Sequence, residues 1–175
     1  MENIDDFKII TEHLILVPIN IIYKDTLFKE FTPEVARFLT PQPTGNIENT
    51  IFFINDSRGK TIRGEELQLI ALNKGTNEFL GCIGLHEINT KQPELGIWFK
   101  KSAWGKGYGK ESMLALKQWA DNNLDYEDIA YPVFKENIPS RKIAEFLGGI
   151  IIAELKSKNQ NGMEFDEVKY IIKRN

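Results

Sequence analysis

A chain of 175 residues, 42% hydrophobic and 27% charged, is long enough for one domain with a substantial core and has an ordinary globular composition. A formal net charge of -3 argues against nonspecific nucleic-acid binding, and no apolar run approaches the roughly 18 residues that span a bilayer, so no membrane partner is expected. The single cysteine, Cys82, has no partner for an internal disulfide and reads as a buried, inert thiol; with an acidic N-terminal stretch and no visible secretory signal, the default location is cytoplasmic.

The apolar run at residues 13–19 predicts a first strand. Thr32, Pro33 and Glu34 look like a helix start, with threonine at the cap and proline at the first helical position. Val35, Phe38 and Leu39 follow at helical spacing, and Pro41 and Pro43 stop that helix. A second helix opens at Asn46 and carries Ile47, Ile51, Phe52 and Ile54. From Glu65 the period changes to two: Leu67, Leu69 and Ala71 alternate with Glu66, Gln68 and Ile70. A turn at residues 73–77 leads into a second strand through Leu80, Cys82, Ile83 and Leu85. The third strand, residues 94–99, completes an antiparallel meander.

The pattern then switches. Residues 109–121 predict an amphipathic helix carrying Met113, Leu114, Leu116 and Trp119, and residues 129–134 a strand. Residues 138–147 predict a helix with Ile143, Phe146 and Leu147 on one face, ending at a left-handed Gly148-Gly149 cap. Strands at 150–155 and 168–172 flank a polar turn at 158–162. This order predicts a single α/β domain over residues 1–175, a mixed α+β sheet with helices packed on it rather than alternating βαβ units.

Between the third strand and the next helix lies Trp104-Gly105-Lys106-Gly107-Tyr108-Gly109. Such a turn exposes backbone N–H groups at a helix N-terminus, where the macrodipole is positive. Its glycines permit close approach and positive φ, and Lys106 and Lys110 add flexible cations. The natural ligand is an anion held by main chain, such as a pyrophosphate. Gly109-Lys110 is followed by Glu111, so the spacing and the hydroxyl of a nucleotide-triphosphate P-loop are missing. Nor is Gly-x-Gly-x-Gly after a meander the fingerprint of a dinucleotide-binding βαβ unit.

Read with its neighbours, the loop points to a family. Thr11-Glu12-His13-Leu14-Ile15-Leu16, the strand Phe79-Leu80-Gly81-Cys82-Ile83-Gly84-Leu85, the strand Glu94 to Phe99 and the loop WGKGYGKES follow in order. A second signature, Asn137-Ile138-Pro139-Ser140-Arg141-Lys142, leads to Phe146-Leu147-Gly148-Gly149. Together these resemble the GCN5-related N-acetyltransferase (GNAT) superfamily, in particular its RimJ/RimL-like branch of ribosomal-protein acetyltransferases. The resemblance implies a mostly antiparallel sheet of about seven strands flanked by about four helices. It implies acetyl transfer from acetyl-CoA to a primary amine by direct attack in a ternary complex, with no metal. The amides of Gly105, Lys106, Gly107, Tyr108, Gly109 and Lys110 would cradle the pyrophosphate. Main chain of Trp98 and Phe99 would pair with the pantetheine arm, Asn137 would hydrogen-bond it, and Ser140 would lie near the coenzyme sulfur.

The attacking nitrogen must be neutral, and the departing thiolate benefits from a proton donor. The tyrosine that many members use as acid falls at Ala144, which leaves Ser140 as the acid or as a helix cap. The glutamate that some relatives use as base falls at Pro132. Glu94 is the first choice for the base; His86, Glu87 and a water chain are the alternatives. Tyr131 lines the acceptor side or packs in its strand, Phe134 replaces a polar residue of the branch, and His13 replaces an arginine. Trp98, Phe31, Phe38 and Phe52 form an acceptor wall or belong to the core. The acceptor is a protein N-terminus or a small-molecule amine, and the protein a monomer or homodimer; the alternative function is a coenzyme A-binding sensor or scaffold without catalysis.

Overall fold

The computed structural model describes residues 4–158 and 164–174. Strand β1 (Ile9–Ile10) turns back into β2 (Leu14–Pro18), and helices α1 (Lys24–Glu30) and α2 (Ile47–Arg63) follow. The meander is β3 (Glu66–Asn73), β4 (Phe79–His86) and β5 (Glu94–Phe99). Then come α3 (Tyr108–Asn123), β6 (Asp128–Phe134) and α4 (Ile138–Phe146), and the pair β7 (Ile150–Lys158) and β8 (Glu164–Lys173). One mixed sheet results, ordered β1-β2-β3-β4-β5-β6-β8-β7, antiparallel except where β5 meets β6. The expected mixed α/β sheet with four α-helices is the architecture found among the described residues. The eighth strand is β1, whose two residues are too short to show a period.

Two apolar clusters coat the two faces of the sheet. Leu67, Leu69, Ile83 and Leu95 pack with Met113 and Leu116 of α3, Ala144 of α4 and Leu147 just after it. Ile70, Leu72 and Cys82 pack on the other face with Leu27 of α1 and Ile54 of α2. The alternation in β3 therefore separates two buried faces, not a buried face from a wet one. Its polar members are buried too, Glu66 and Gln68 each at 5% exposure. Cys82 is 1% exposed, and burial pushes its thiol well up, consistent with an inert core residue.

Two local expectations are corrected, and one helix had no local signal. The helix expected from Thr32 is a single 3-10 turn, Val35–Phe38; Thr32 Oγ1 does accept from Val35 N–H at 3.3 Å, but the run ends before a second turn. Helix α1 carries no apolar stripe, Leu27 being its one buried residue, so periodicity did not announce it. Phe146 is not on the buried face of α4: it is 49% exposed, and the Lys110 ammonium lies 5.0 Å from its ring centroid. Gly148 does take the left-handed conformation, at φ 79°. Most of the polar turn expected at residues 158–162 lies outside the described residues.

Toward its C-terminal end α3 is tied down by a buried ion pair. Lys117, 3% exposed, bonds Asp121 at 2.8 Å, and Asp121 also accepts from the Tyr126 hydroxyl. Removing one member strands the other charge, so Lys117→Ala is expected to destabilise by about 3 kcal/mol. Urea melts at neutral pH check this; an unchanged midpoint would mean that water reaches Asp121. Among the described residues no helix is long and apolar enough to cross a membrane.

Candidate functional site

The sheet opens where its strand direction changes. Parallel strands β5 and β6 have one paired position, Glu94↔Ala130, and diverge beyond it. Ladder alternation tells which main-chain groups face the opening. Lys100 N–H donates to Leu80 C=O at 2.8 Å, so Lys100, Trp98 and Gly96 turn their main chain toward β4. Ile97 and Phe99 then turn theirs toward the gap. The expectation named Trp98 and Phe99; Phe99 does face the gap, whereas the backbone of Trp98 is engaged with Cys82. The Trp98 ring packs away from the gap, 5.1 Å from Phe31 and 5.8 Å from Phe79. Across the opening, Ala130 N–H donates to Pro93 C=O at 2.8 Å, so Pro132, on the same parity, falls where its nitrogen faces the gap. A proline there interrupts no ladder bond, which explains how it sits mid-strand.

The glycine loop runs from the open end of β5 to α3. Trp104 Nε1 donates to Phe99 C=O at 2.7 Å, fastening the loop to the strand. Gly105 and Gly107 lie at φ 73° and 83°, the left-handed region that the turn needs. Gly107 caps α3 with no side-chain hydrogen bond, so the first-turn amides of Tyr108, Gly109 and Lys110 are not taken by a cap. Gly109 serves another purpose: a Cβ there would stand 2.9 Å from Ile143 Cδ1, so its bareness lets α3 approach α4. Lys106 is exposed beside the loop. Lys110 reaches Phe146 instead, leaving only its amide at the turn. Glu111 anchors the start of α3, accepting from His13 N–H at 2.7 Å and meeting His13 Nδ1 at 2.9 Å. His13 thus has a structural task.

On the α3–α4 face the second signature assembles. Asn137 caps α4, its Oδ1 accepting from Ser140 N–H at 3.2 Å. The cap role weighed for Ser140 therefore belongs to Asn137. The Ser140 hydroxyl is instead 2.7 Å from the hydroxyl of Tyr131. Tyr131 is 2% exposed, and burial pushes its phenol up to about 12, with the Ser140 hydrogen bond opposing. It stays protonated across the neutral range. The sequence offered Tyr131 the acceptor side or a packing role; its pairing with Ser140, on the helix beyond the end of its strand, had no local signal.

The α1–α2 face carries the acids. Glu94 is exposed at the closed end of the gap, yet burial by its surroundings raises its carboxyl above the ordinary 4.5, with the His86 charge partly opposing. His86 is its lateral neighbour on β4. Glu87 lies past the strand end, exposed, in a turn at φ 54°. Beyond the end of β6 an open groove of about 810 Å³ is lined by Phe38, Phe134, Phe165, Arg37, Lys135 and Lys156, among others. Phe134 stacks on Phe165 at 3.7 Å, and Phe38 stands 5.8 Å from Phe134. Of the four expected wall residues, Phe31 packs on Trp98 away from the gap, Phe38 stands by Phe134 at the groove, and Phe52 is 71% exposed on α2.

Comparison with known proteins agrees with this geometry. A protein-family model described as an acetyltransferase (GNAT) domain matches residues 13–150. The chain is 25% identical over 140 residues to the uncharacterized N-acetyltransferase p20 of Bacillus licheniformis, covering 78% of this chain and 79% of that one. RimL, a ribosomal alpha-N-protein acetyltransferase in complex with coenzyme A, shares the fold with a TM-score of 0.86 at 19% identity, covering 95% of this chain and 98% of that one. The microcin self-immunity acetyltransferase MccE, in complex with acetyl-CoA and AMP, gives a TM-score of 0.82 at 19% identity over 93% of both chains. With a family match over most of its length, and a split sheet leading into a glycine turn, the chain belongs to the GNAT acetyltransferase family.

Proposed function

We propose that the chain transfers the acetyl group of acetyl-CoA to a primary amine, with both substrates bound together and the amine attacking directly. The observation that carries this is the gap: main chain of Ile97 and the N–H of Phe99 face it, lead to a helix start with no side-chain cap at one end, and lie across from the Tyr131–Ser140 hydroxyl pair. These residues fit the coenzyme. The main chain of β5 would hold its two-amide pantetheine arm in place of a missing strand, and the amides of Gly105 to Lys110, with Lys106 beside them, would hold its pyrophosphate. Asn137, its Oδ1 given to the helix cap, offers its amide N–H groups to the arm.

The bound coenzyme supplies an activated acetyl thioester. Glu94 accepts the proton that the acceptor ammonium must lose before its lone pair can form the N–C bond. As the C–S bond breaks, Ser140, backed by Tyr131, gives a proton to the sulfur. The second proton lost by the nitrogen replaces it, so the net release is one proton to solvent. No enzyme thiol takes part, in keeping with the burial of Cys82.

The acceptor enters by the aromatic groove beside Phe134, where three cations and three carboxylates offer no single charge preference. A protein N-terminus is supported by the RimJ/RimL-like signatures and by the RimL neighbour, an alpha-N-protein acetyltransferase, and a small-molecule acceptor by MccE, which is in complex with AMP as well as acetyl-CoA. A cytoplasmic setting belongs to the same reading. Thiol release measured with acetyl-CoA against peptides with free N-termini and a panel of small amines tests it. Turnover on either class assigns the acceptor; tight coenzyme binding without release on any amine would leave a binding module only. Because Glu94 must be ionised to act and its carboxyl is raised, kcat/KM should fall as pH drops through a value above 4.5. In Glu94→Gln that acidic limb should be lost or displaced.

A further inference from the structure

A lone carboxylate at Glu94 leaves another acid unexplained. Glu66, the first residue of β3, is 5% exposed, and among the described residues its Oε1 has no hydrogen-bond partner. A buried carboxylate oxygen left unpaired carries a desolvation penalty that packing does not offset. The other oxygen, Oε2, lies 3.3 Å from His86 Nδ1. Strand register sets Glu66 opposite His86 and His86 opposite Glu94. Three side chains therefore stand in one row across β3, β4 and β5, ending where β5 meets β6.

The imidazole has a built seat. A Cβ at Gly84 would come within 2.9 Å of His86 Nε2, and one at Gly96 within 3.2 Å. The ring thus lies over two bare positions on adjacent strands and leans toward the gap with Nε2 leading, its side chain 37% exposed. An ionised carboxylate only accepts hydrogen bonds, so against ionised Glu66 the donor would be Nδ1–H, and a neutral ring would keep its lone pair on Nε2. Lys60 and Arg63 at the end of α2 are close enough to interact with Glu66. The other charged groups around the row are Glu65 and Asp56 on the α2 side, Glu87 after β4, and Glu167 and Lys169 of β8 beside Glu94.

We infer that Glu66 is a positioning residue that holds His86 with Nε2 toward the gap, and that His86 shares with Glu94 the removal of the acceptor's proton. This rests on the acetyl transfer proposed above. The proton leaves the acceptor nitrogen for Nε2 or for the Glu94 carboxylate, then passes to solvent, and no other bond changes in that step. The proton acceptors then lie on the α1–α2 face and the Ser140–Tyr131 donors on the α3–α4 face. The amine approaches the acetyl group from one side of the sheet while the sulfur departs toward the other.

The tautomer tests the inference without any substrate. The full chain has two histidines, so a His13→Gln background leaves His86 as the single imidazole in long-range 15N–1H correlation spectra. The Nδ1–H form is expected, reverting in Glu66→Ala to the Nε2–H form that free histidine prefers. In kinetics Glu66→Gln and His86→Gln should each lower kcat at least 10-fold, with the acetyl-CoA KM changed less than about 2-fold and part of the rate restored in Glu66→Asp. An Nε2–H tautomer in the presence of Glu66, or full kcat in His86→Gln, overturns it. Failure of the underlying reading looks different: thiol release is then absent with Glu66 and His86 both intact.

Discussion

A Gly107→Val protein is expected to fold and to need at least 10-fold more acetyl-CoA for half-maximal rate. Gly107 sits at φ 83°, ψ −9°, where an L-residue costs about 1–2 kcal/mol and a β-branched one more. Nothing lies within 4 Å of a Cβ built there, so the core has no quarrel with the side chain and the strain is local. It is relieved only by pulling the cap out of the left-handed region. That swings the amides of Tyr108 to Lys110 off a common focus, and added bulk stands where a phosphate would lie. Gly109→Ala is the control: its Cβ would press on the movable end of Ile143, so the coenzyme KM should change by less than about 3-fold. Calorimetric titration with coenzyme A checks both; unchanged affinity in Gly107→Val would remove the phosphate from this turn.

Ser140→Ala should lower kcat by about 10²-fold with little change in coenzyme affinity, the usual loss when a positioned proton donor is removed. Tyr131→Phe should lower it too, because the 2.7 Å contact makes the two hydroxyls one unit. The double variant is therefore expected to fall well short of the product of the single losses. The sign of the pH dependence follows from the phenol. Raised to about 12 by burial, Tyr131 stays protonated through the assay range, so this pair should cause no loss of rate on the alkaline side below about pH 11. Full kcat in Ser140→Ala would leave the hydrogen bond a purely structural tie between β6 and α4.

Much of the site was legible in residue order. The loop stood out because three glycines fall where a period of two gives way to a period of 3.6, and the observed strand and helix flank it as expected. The spacing of Asn137 and Ser140 marked the start of α4, although only side-chain direction showed that asparagine caps and serine bonds Tyr131. Other features had no local signal. Helix α1 buries one side chain, so no stripe betrays it. Phe146 has core-like spacing but lies under Lys110 on the surface. Glu66 and His86 are 20 positions apart, and Glu66 alternates with leucines like any polar face of a strand.

The sequence by itself determined the order of elements, the glycine turn and the helix signature opposite it. These depend on local periodicity, on backbone freedom at glycine and on capping, all readable within a short window. Only the tertiary structure decided which amides of β5 face the gap, why Pro132 is tolerated there, and which acids stand in one row. Those follow from strand register and from the divergence of β5 and β6 beyond Glu94↔Ala130. Register is set by packing across the whole sheet, where a slip of one residue would turn every one of these groups to the other face.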